Sequence, residues 1–568
     1  MNPVPHPLPL WYNKAVGRMK TVPKEEEYSM KRYFWLLLVI LCLLFLPGCA
    51  TYEKLIESQF NSFGQTGFKA RLSPCDLPEE GWQEVEFPDY AGRDPVEGLF
   101  KAAEHPALNV LYVHGADWTG KYLYPLNEVD LKAYADRNGR RDFNILAVEL
   151  SGWKPEKNGF RSIQDYIDDA LGGVKYLKER FPDQPLVVCG DSLGAHVALL
   201  AAASDREGLI DGVISISPFT SFIDVVRYAS NYGQKAFPWF MRACVKDADR
   251  RMKGFFSRYD LRALAEGIKA PVLIFASKQD TQTPPWMAME IYDRIKAPKA
   301  LYLMEYSAHC QYHLNYSRAM DEIFDRFFAH ILEKSAFPAP EVGLITQVVK
   351  EEKDYRVTVA LKDEDGGEGG PVDLYFFQKD RTPSSYKVLF TPTVRAVTLE
   401  LPFSPERIYG FRPAAWETAE GGWEYRMTPE EKAFTSLLME SNKVLKVLFS
   451  RGKGKALEEA RAAALAEGGE AAEVLRRSDR LYYPEWLAGE YFGALGAFRE
   501  SMEVYEELLK REGLPEGKRV EYLFRLYRLA KKRLQDPERA ASYYQRLLEY
   551  DHRKYYVALA IEMEKEGK

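Results

Sequence analysis

The stretch of this chain best suited to chemistry is Gly190-Asp191-Ser192-Leu193-Gly194-Ala195. A lone Gly-x-Ser-x-Gly is weak: average usage gives about 0.2 chance matches in a chain this long. Its setting is stronger. Pro185–Cys189 is an apolar strand directly before it, and Ala195–Ala201 is an apolar helix directly after. A strand–turn–helix lifts the central side chain above the sheet, and the flanking glycines allow the backbone to turn back closely. Ser192 then stands at a helix N-terminus, whose dipole favours a developing negative charge. A serine hydroxyl is a poor nucleophile at neutral pH, so the chemistry to expect is acyl transfer assisted by a base.

The chain resembles the α/β-hydrolase superfamily over roughly residues 82–333. That family places its triad in the order serine, acid after a strand, histidine in a late loop. Here Pro271–Ala276 is a strand leading through Ser277-Lys278-Gln279 to Asp280, with Thr283-Pro284 beyond, and a strand over Tyr302–Met304 leads to His309. The resemblance implies Ser192 as nucleophile, His309 as base and Asp280 as the acid that fixes the imidazole tautomer. It implies an oxyanion hole from the amides of Leu193 and Ala116, with Asp117 as the alternative in the loop Val113-His114-Gly115-Ala116-Asp117-Trp118. His114 reads as a structural histidine and His196 as packed. Cys310, adjacent to His309, reads as a packing thiol, and Glu305 replaces Asp280 only if the strand register is misread.

These residues need a rigid frame. Continuous apolar runs at Leu108–Val113, Asn144–Leu150, Pro185–Cys189, Gly212–Ile216, Pro271–Ala276 and Ala300–Met304 suit strands buried on both faces of a mostly parallel sheet. Helix Tyr316–Leu332 closes it. The expected fold class is therefore α/β, with a catalytic domain over 81–335 and a helical cap at about 218–268. Phe219, Phe222, Tyr228, Tyr232, Phe237, Trp239, Phe240 and Met241 crowd the cap. They read equally as an apolar acyl pocket, to which Trp118 would contribute, or as the cap's own core.

Two further modules are expected. Period-two patterning at Tyr355, Val357, Val359 and Leu361, with Val372–Phe376 and Val394–Leu401, predicts a small β-sandwich over 340–428. Residues 429–568 turn helical. Gly496–Ser501 and Gln535–Ala540 open two similar segments 39 residues apart. This resembles tetratricopeptide repeats, which implies helical hairpins and a protein partner.

At the other end, Met30-Lys31-Arg32 precedes an uninterrupted apolar run of 14 residues, Tyr33–Leu46, and then Pro47-Gly48-Cys49-Ala50. Basic, apolar, then small is the layout of a secretory signal, and the run is short for a membrane span of about 20 residues. Leu46-Pro47-Gly48-Cys49 resembles the lipobox of bacterial lipoproteins, which implies cleavage before Cys49 and acylation of its thiol. Residues 1–29 then precede the true start, 30–48 form the signal and 49–80 a tether.

Composition limits the rest. A chain of 568 residues with 77 basic and 83 acidic side chains carries a net charge of −6. That balance argues against nucleic-acid binding, which needs concentrated positive charge. Six cysteines form no C-x-x-C pair, so neither a disulfide scaffold nor a zinc or redox site is indicated. No metal or organic cofactor is implied. The combined expectation is a lipid-anchored, extracytoplasmic serine hydrolase acting on carboxylesters, with thioesters or peptides behind them. The alternatives are an inactive hydrolase scaffold that binds partners through its tail, and an acyltransferase.

Overall fold

The structure is a computed structural model. It describes residues 82–565 apart from 117–133, 135–141, 152–161, 226–248, 251–256, 363–369, 378–382, 441–454, 477–485 and several shorter stretches. The signal, Cys49, the tether, Asp117, Trp118 and most of the cap lie outside the described residues.

An eight-stranded sheet organises the first half. Its strands are β1 (Trp82–Pro88), β2 (Pro95–Lys101), β3 (Pro106–Val113), β4 (Asp142–Val148), β5 (Leu186–Asp191), β6 (Gly212–Ile216), β7 (Val272–Ser277) and β8 (Lys299–Met304). They lie in the order β1-β2-β4-β3-β5-β6-β7-β8. Only the pairings of β2, with β1 and with β4, are antiparallel; the other neighbours run parallel. Every residue of β5, β6 and β7 is buried. This is what unbroken apolar runs produce, because helices cover both faces of a parallel sheet.

All six expected strands form, with ends displaced by at most two residues. The first two strands escaped the apolar-run criterion. In β1 the charged Glu84 and Glu86 face outward on an edge, and only Trp82, Phe87 and their like point inward.

The helices that matter most are α1 (Ile163–Arg180), α2 (Leu193–Ser204), α3 (Pro285–Arg294) and α4 (Tyr312–Glu333). Helix α2 is apolar on all sides, and its residues from Leu193 to Ala202 are all buried, as expected for a helix wrapped in core. Helix α4 starts four residues earlier than expected, with a kink at Tyr316. The kink lets Tyr312 enter the core beneath the site, where it is fully buried.

Beyond the sheet come two three-stranded antiparallel sheets. One orders β13 (Ala396–Leu401), β10 (Tyr355–Leu361) and β9 (Leu344–Lys350). The other orders β12 (Pro383–Phe390), β11 (Gly370–Phe377) and β14 (Ile408–Phe411). Val357, Val359 and Leu361 of the first share one apolar cluster with Val372, Leu374 and Phe376 of the second.

The C-terminal stretch is helical: α5 (Lys455–Arg476), α6 (Trp486–Leu495), α7 (Phe498–Leu509), α8 (Glu516–Arg528), α9 (Pro537–Leu548) and α10 (Tyr555–Lys565). Ser501 is buried and donates its hydroxyl to Gly489 O at 2.7 Å, so α6 and α7 approach closely at small residues. Among the described residues, no helix is long and apolar enough to cross a membrane.

Candidate active site

Strand β5 delivers its last residue, Asp191, and the chain turns sharply at Ser192 before α2 begins. Ser192 has φ 53° and ψ −110°, a conformation that costs a residue with a Cβ about 1–3 kcal/mol. The surroundings enforce it. Ser192 N–H donates to Ile216 O at 2.9 Å, and Ser192 O accepts from His196 N–H at 3.1 Å. A Cβ on Gly194 would stand 1.9 Å from Val113 O, and one on Gly190 would stand 2.3 Å from Gly194 C. Only glycine permits helix α2 to press this closely on the end of β3. The first amides of α2, Leu193 among them, have no acceptor within the helix and carry its positive pole.

The loop after β3 faces this turn. His114 is fully buried; its Nε2 accepts Leu150 N–H at 3.2 Å, so its Nδ1 bears the proton and donates to Gly115 O at 2.7 Å. This fits the structural role expected of it. A Cβ on Gly115 would meet Ser192 Cβ at 3.7 Å, which puts the loop directly against Ser192. Ala116 follows, half-buried. Beneath, Tyr112 donates its hydroxyl to Asp191 Oδ2 at 2.9 Å.

Asp280 and His309 lie together. His309 Nδ1 lies 2.7 Å from Asp280 Oδ2. Asp280 is buried, and its Oδ1 accepts the amides of Gln282 at 2.8 Å and Thr283 at 2.9 Å. Burial would raise this carboxyl, but the His309 ring, its hydrogen bond and the two amides outweigh burial and hold it below its ordinary value. The carboxylate is thus kept charged beside an imidazole, the pairing that stabilises an imidazolium.

Thr283 adds a contact that residue types alone did not reveal. Its hydroxyl lies 3.0 Å from Asp280 Oδ2 and 3.1 Å from Ser217 O, so one proton is divided between two acceptors. The two halves of the site converge on β6. Ile216 O, which accepts the Ser192 amide, also lies 3.8 Å from Cys310 Sγ, next to His309.

A second set of contacts joins the acid loop to the histidine loop. Ser277 ends β7 with its hydroxyl fully buried; it donates to Ser307 O at 2.8 Å and accepts Ser307 N–H at 3.2 Å and Gln279 N–H at 3.1 Å. Lys278 N–H donates to Met304 O at 2.9 Å, and Lys278 Nζ sits 2.6 Å from Glu305 Oε2. Glu305 is therefore committed to Lys278, and Asp280 holds the histidine. His196 is stacked on Phe219 at 4.2 Å with its Nδ1 2.8 Å from Phe219 O. Burial lowers it to about 4. It is a core histidine, as expected. Among the described residues, no group of three or more His, Cys, Asp or Glu is arranged to hold a metal.

The chain is similar to known proteins over part of its length. The family model described as Serine aminopeptidase, S33 matches residues 133–255, a span that includes β5, Ser192 and α2. A lysophosphatidylserine lipase of Danio rerio is 28% identical over 238 residues, covering 40% of this chain and 55% of the lipase. A pimeloyl-[acyl-carrier protein] methyl ester esterase of Neisseria meningitidis is 26% identical over 223 residues, covering 36% of this chain and 82% of the esterase. The chain thus spans little more than half the length of the first of these relatives. Among solved structures, the Pyrococcus furiosus esterase Pf2001 aligns with a TM-score of 0.34 at 18% identity, over 46% of this chain and 96% of that one. The sheet order with its single reversed strand, the strained serine and the family match over residues 133–255 support one assignment: this domain has an α/β-hydrolase fold.

Proposed function

We propose that the protein is a lipid-anchored, extracytoplasmic serine hydrolase that cleaves carboxylesters, with thioesters and peptides as secondary substrates. The observation that carries the reading is the Asp280–His309 pair at 2.7 Å, linked through the Ile216 carbonyl and Cys310 to a serine held at positive φ. In the reaction His309 takes the Ser192 proton as Oγ attacks the acyl carbon. The resulting oxyanion is received by the amides of Leu193 and Ala116, and preorganised donors of this kind contribute about 3–4 kcal/mol each in related chemistry. His309 then protonates the leaving alcohol, Asp280 stabilises the imidazolium, and water resolves the acyl-enzyme by the same route in reverse.

The curated relatives named as a lipase and a methyl ester esterase support an ester substrate. Acylation of Cys49 after cleavage of residues 30–48 would supply the anchor, since two or more acyl chains hold a protein firmly on a bilayer. The two small sheets would form a β-sandwich, and α5–α10 a tetratricopeptide-like tail offering a surface to a protein partner. The test is fluorophosphonate labelling of the full chain: wild type is labelled at Ser192, and Ser192→Ala is not. A wild-type protein that neither labels nor hydrolyses p-nitrophenyl esters would overturn the enzymatic reading.

A further inference from the structure

Four charged side chains alternate in sign across the boundary between the hydrolase sheet and the small β-sheets. Lys278, two residues before Asp280, is almost wholly buried; its Nζ lies 2.6 Å from Glu305 Oε2 and 3.8 Å from Asp373 Oδ2. Glu305, four residues before His309, is also approached by Lys387 Nζ at 3.7 Å. Asp373 on β11 and Lys387 on β12 are direct partners in the strand register. One sheet face therefore presents an acid and a base side by side, complementary to the base and acid on the hydrolase. Tyr375, two residues along β11, places its ring 5.1 Å from Lys278 Nζ.

A second fastening lies just beyond the acid loop. Helix α3 follows that loop, and its Asp293 accepts Tyr409 Oη of β14 at 2.7 Å and pairs with Arg407. The neighbouring Tyr292 donates its hydroxyl to Glu341. The segment from Lys278 to Asp293, which contains Asp280, is thus tied at both ends to the appended sheets. Among the described residues no corresponding tie from these sheets reaches the Ser192 turn.

Buried ions such as Lys278 and Asp373 tolerate little displacement, because moving one partner strands the other charge in a medium that cannot solvate it. A domain held by such a set fixes the loops that carry it. We propose that the appended β-sheets are a positioning element of the hydrolase: through Asp373 and Lys387 they clamp Lys278 and Glu305, and so hold the Asp280 loop and the His309 loop in mutual register. This rests on the hydrolase reading above, and assigns the sheets a part in that same site.

The test uses the full chain with Asp373→Asn/Lys387→Gln, which removes the two ionic contacts that reach Lys278 and Glu305 from the small sheets and leaves Lys278–Glu305 intact. Displaced catalytic groups cost on the order of tenfold to hundredfold, so kcat should fall by that much with KM within about twofold. Amide hydrogen exchange over 278–284 and 305–309 should quicken, while exchange over 186–204 stays as in wild type. Lys387→Gln alone changes a half-exposed side chain and so folds whatever the double variant does; it should show a smaller effect in the same direction, and Lys387→Arg should restore wild-type values.

Unchanged kcat with unchanged exchange would overturn the clamp. So would a loss of kcat matched by general loss of protection, which is what a merely structural role gives. If wild type shows no Ser192-dependent turnover, the hydrolase reading falls separately. The exchange pattern then decides the clamp alone, local quickening sustaining it and its absence ending it.

Discussion

The hydroxyl of Ser277 donates to Ser307 O at 2.8 Å and accepts Ser307 N–H at 3.2 Å, so a single buried side chain couples the loops that carry Asp280 and His309. Ser277 ends the strand that launches the acid, and Ser307 lies two residues before the histidine. Ser277→Ala leaves Ser307 O, Ser307 N–H and Gln279 N–H without this partner. Unmet buried groups cost about 1–3 kcal/mol, so the variant should lose about 2 kcal/mol in urea denaturation, together with about a tenfold drop in kcat from the loosened pair. A variant with wild-type stability would show that the hydroxyl does not hold the loops.

Gly194→Ala tests the turn itself. The added methyl would stand 1.9 Å from Val113 O and 2.5 Å from Val113 C, both backbone atoms that cannot swing aside. Destabilisation of at least about 3 kcal/mol is expected, at the severe end of overpacking. Gly208→Ala is the control: it has φ +71° but nothing within 4 Å of its Cβ, so it should cost only about 1–2 kcal/mol. Equal melting temperatures for the two variants would contradict the close-approach account.

Asp280→Asn keeps the shape of the acid and removes its charge. The amide cannot stabilise an imidazolium, and its NH2 favours the wrong histidine tautomer. Turnover of an ester substrate should fall on the order of 10³–10⁴-fold with little change in KM. A variant retaining a tenth of wild-type kcat would mean that another group serves as the acid.

Two buried groups bend the pH dependence of stability in opposite directions. Burial lowers His196 from 6.5 to about 4. As pH falls the unfolded chain takes up this proton before the folded one. The histidine's contribution is therefore complete above about pH 6.5 and is lost as pH drops through about 4, up to about 3 kcal/mol. Burial pushes Asp169 up to about 7, although Ser151 N–H donates to it at 2.6 Å. Asp169 thus favours the fold at low pH and ceases to as pH rises through about 7. In His196→Gln the Asp169 contribution is common to both proteins. The stability difference between wild type and variant should grow from pH 4 to 6.5 and then level off. A difference that is flat throughout would exclude the buried neutral histidine.

Cys49→Ser tests the proposed anchor. Without its thiol the chain should move from the membrane fraction to the soluble fraction of the envelope. Continued sedimentation with membranes would favour retention through the apolar segment Tyr33–Leu46.

The sequence made the centre of the site legible and left its supports hidden. Gly190, Ser192 and Gly194 form a local signal, because their geometry is set within one turn and by the strand and helix on either side. Asp280 and His309 became legible once each was seen to follow an apolar run. Thr283, Ser277 and Lys278 did not. Their roles depend on partners such as Ser217, Ser307 and Asp373, which lie far away along the chain, and neither helical nor strand periodicity reports such a pairing. Strand β1 escaped because an edge strand with exposed Glu84 and Glu86 lacks the continuous apolar run that marked the buried ones, and the interior strand β2 escaped because Glu97 and Gly98 interrupt its run.

The carbonyl of Ile216 has a consequence for the order in which the protein becomes active. It accepts the Ser192 amide, so the Ser192 turn has this support once β6 has been added to the sheet. The histidine that would activate Ser192 comes from beyond β8, and reaches the same carbonyl through its neighbour Cys310 only after β7 and β8 have been laid down. On the proposed reading, a chain folded only as far as β6 would thus hold the Ser192 turn without its histidine. On that reading activity would require the segment beyond β8, and a product ending ahead of His309 would lack the base.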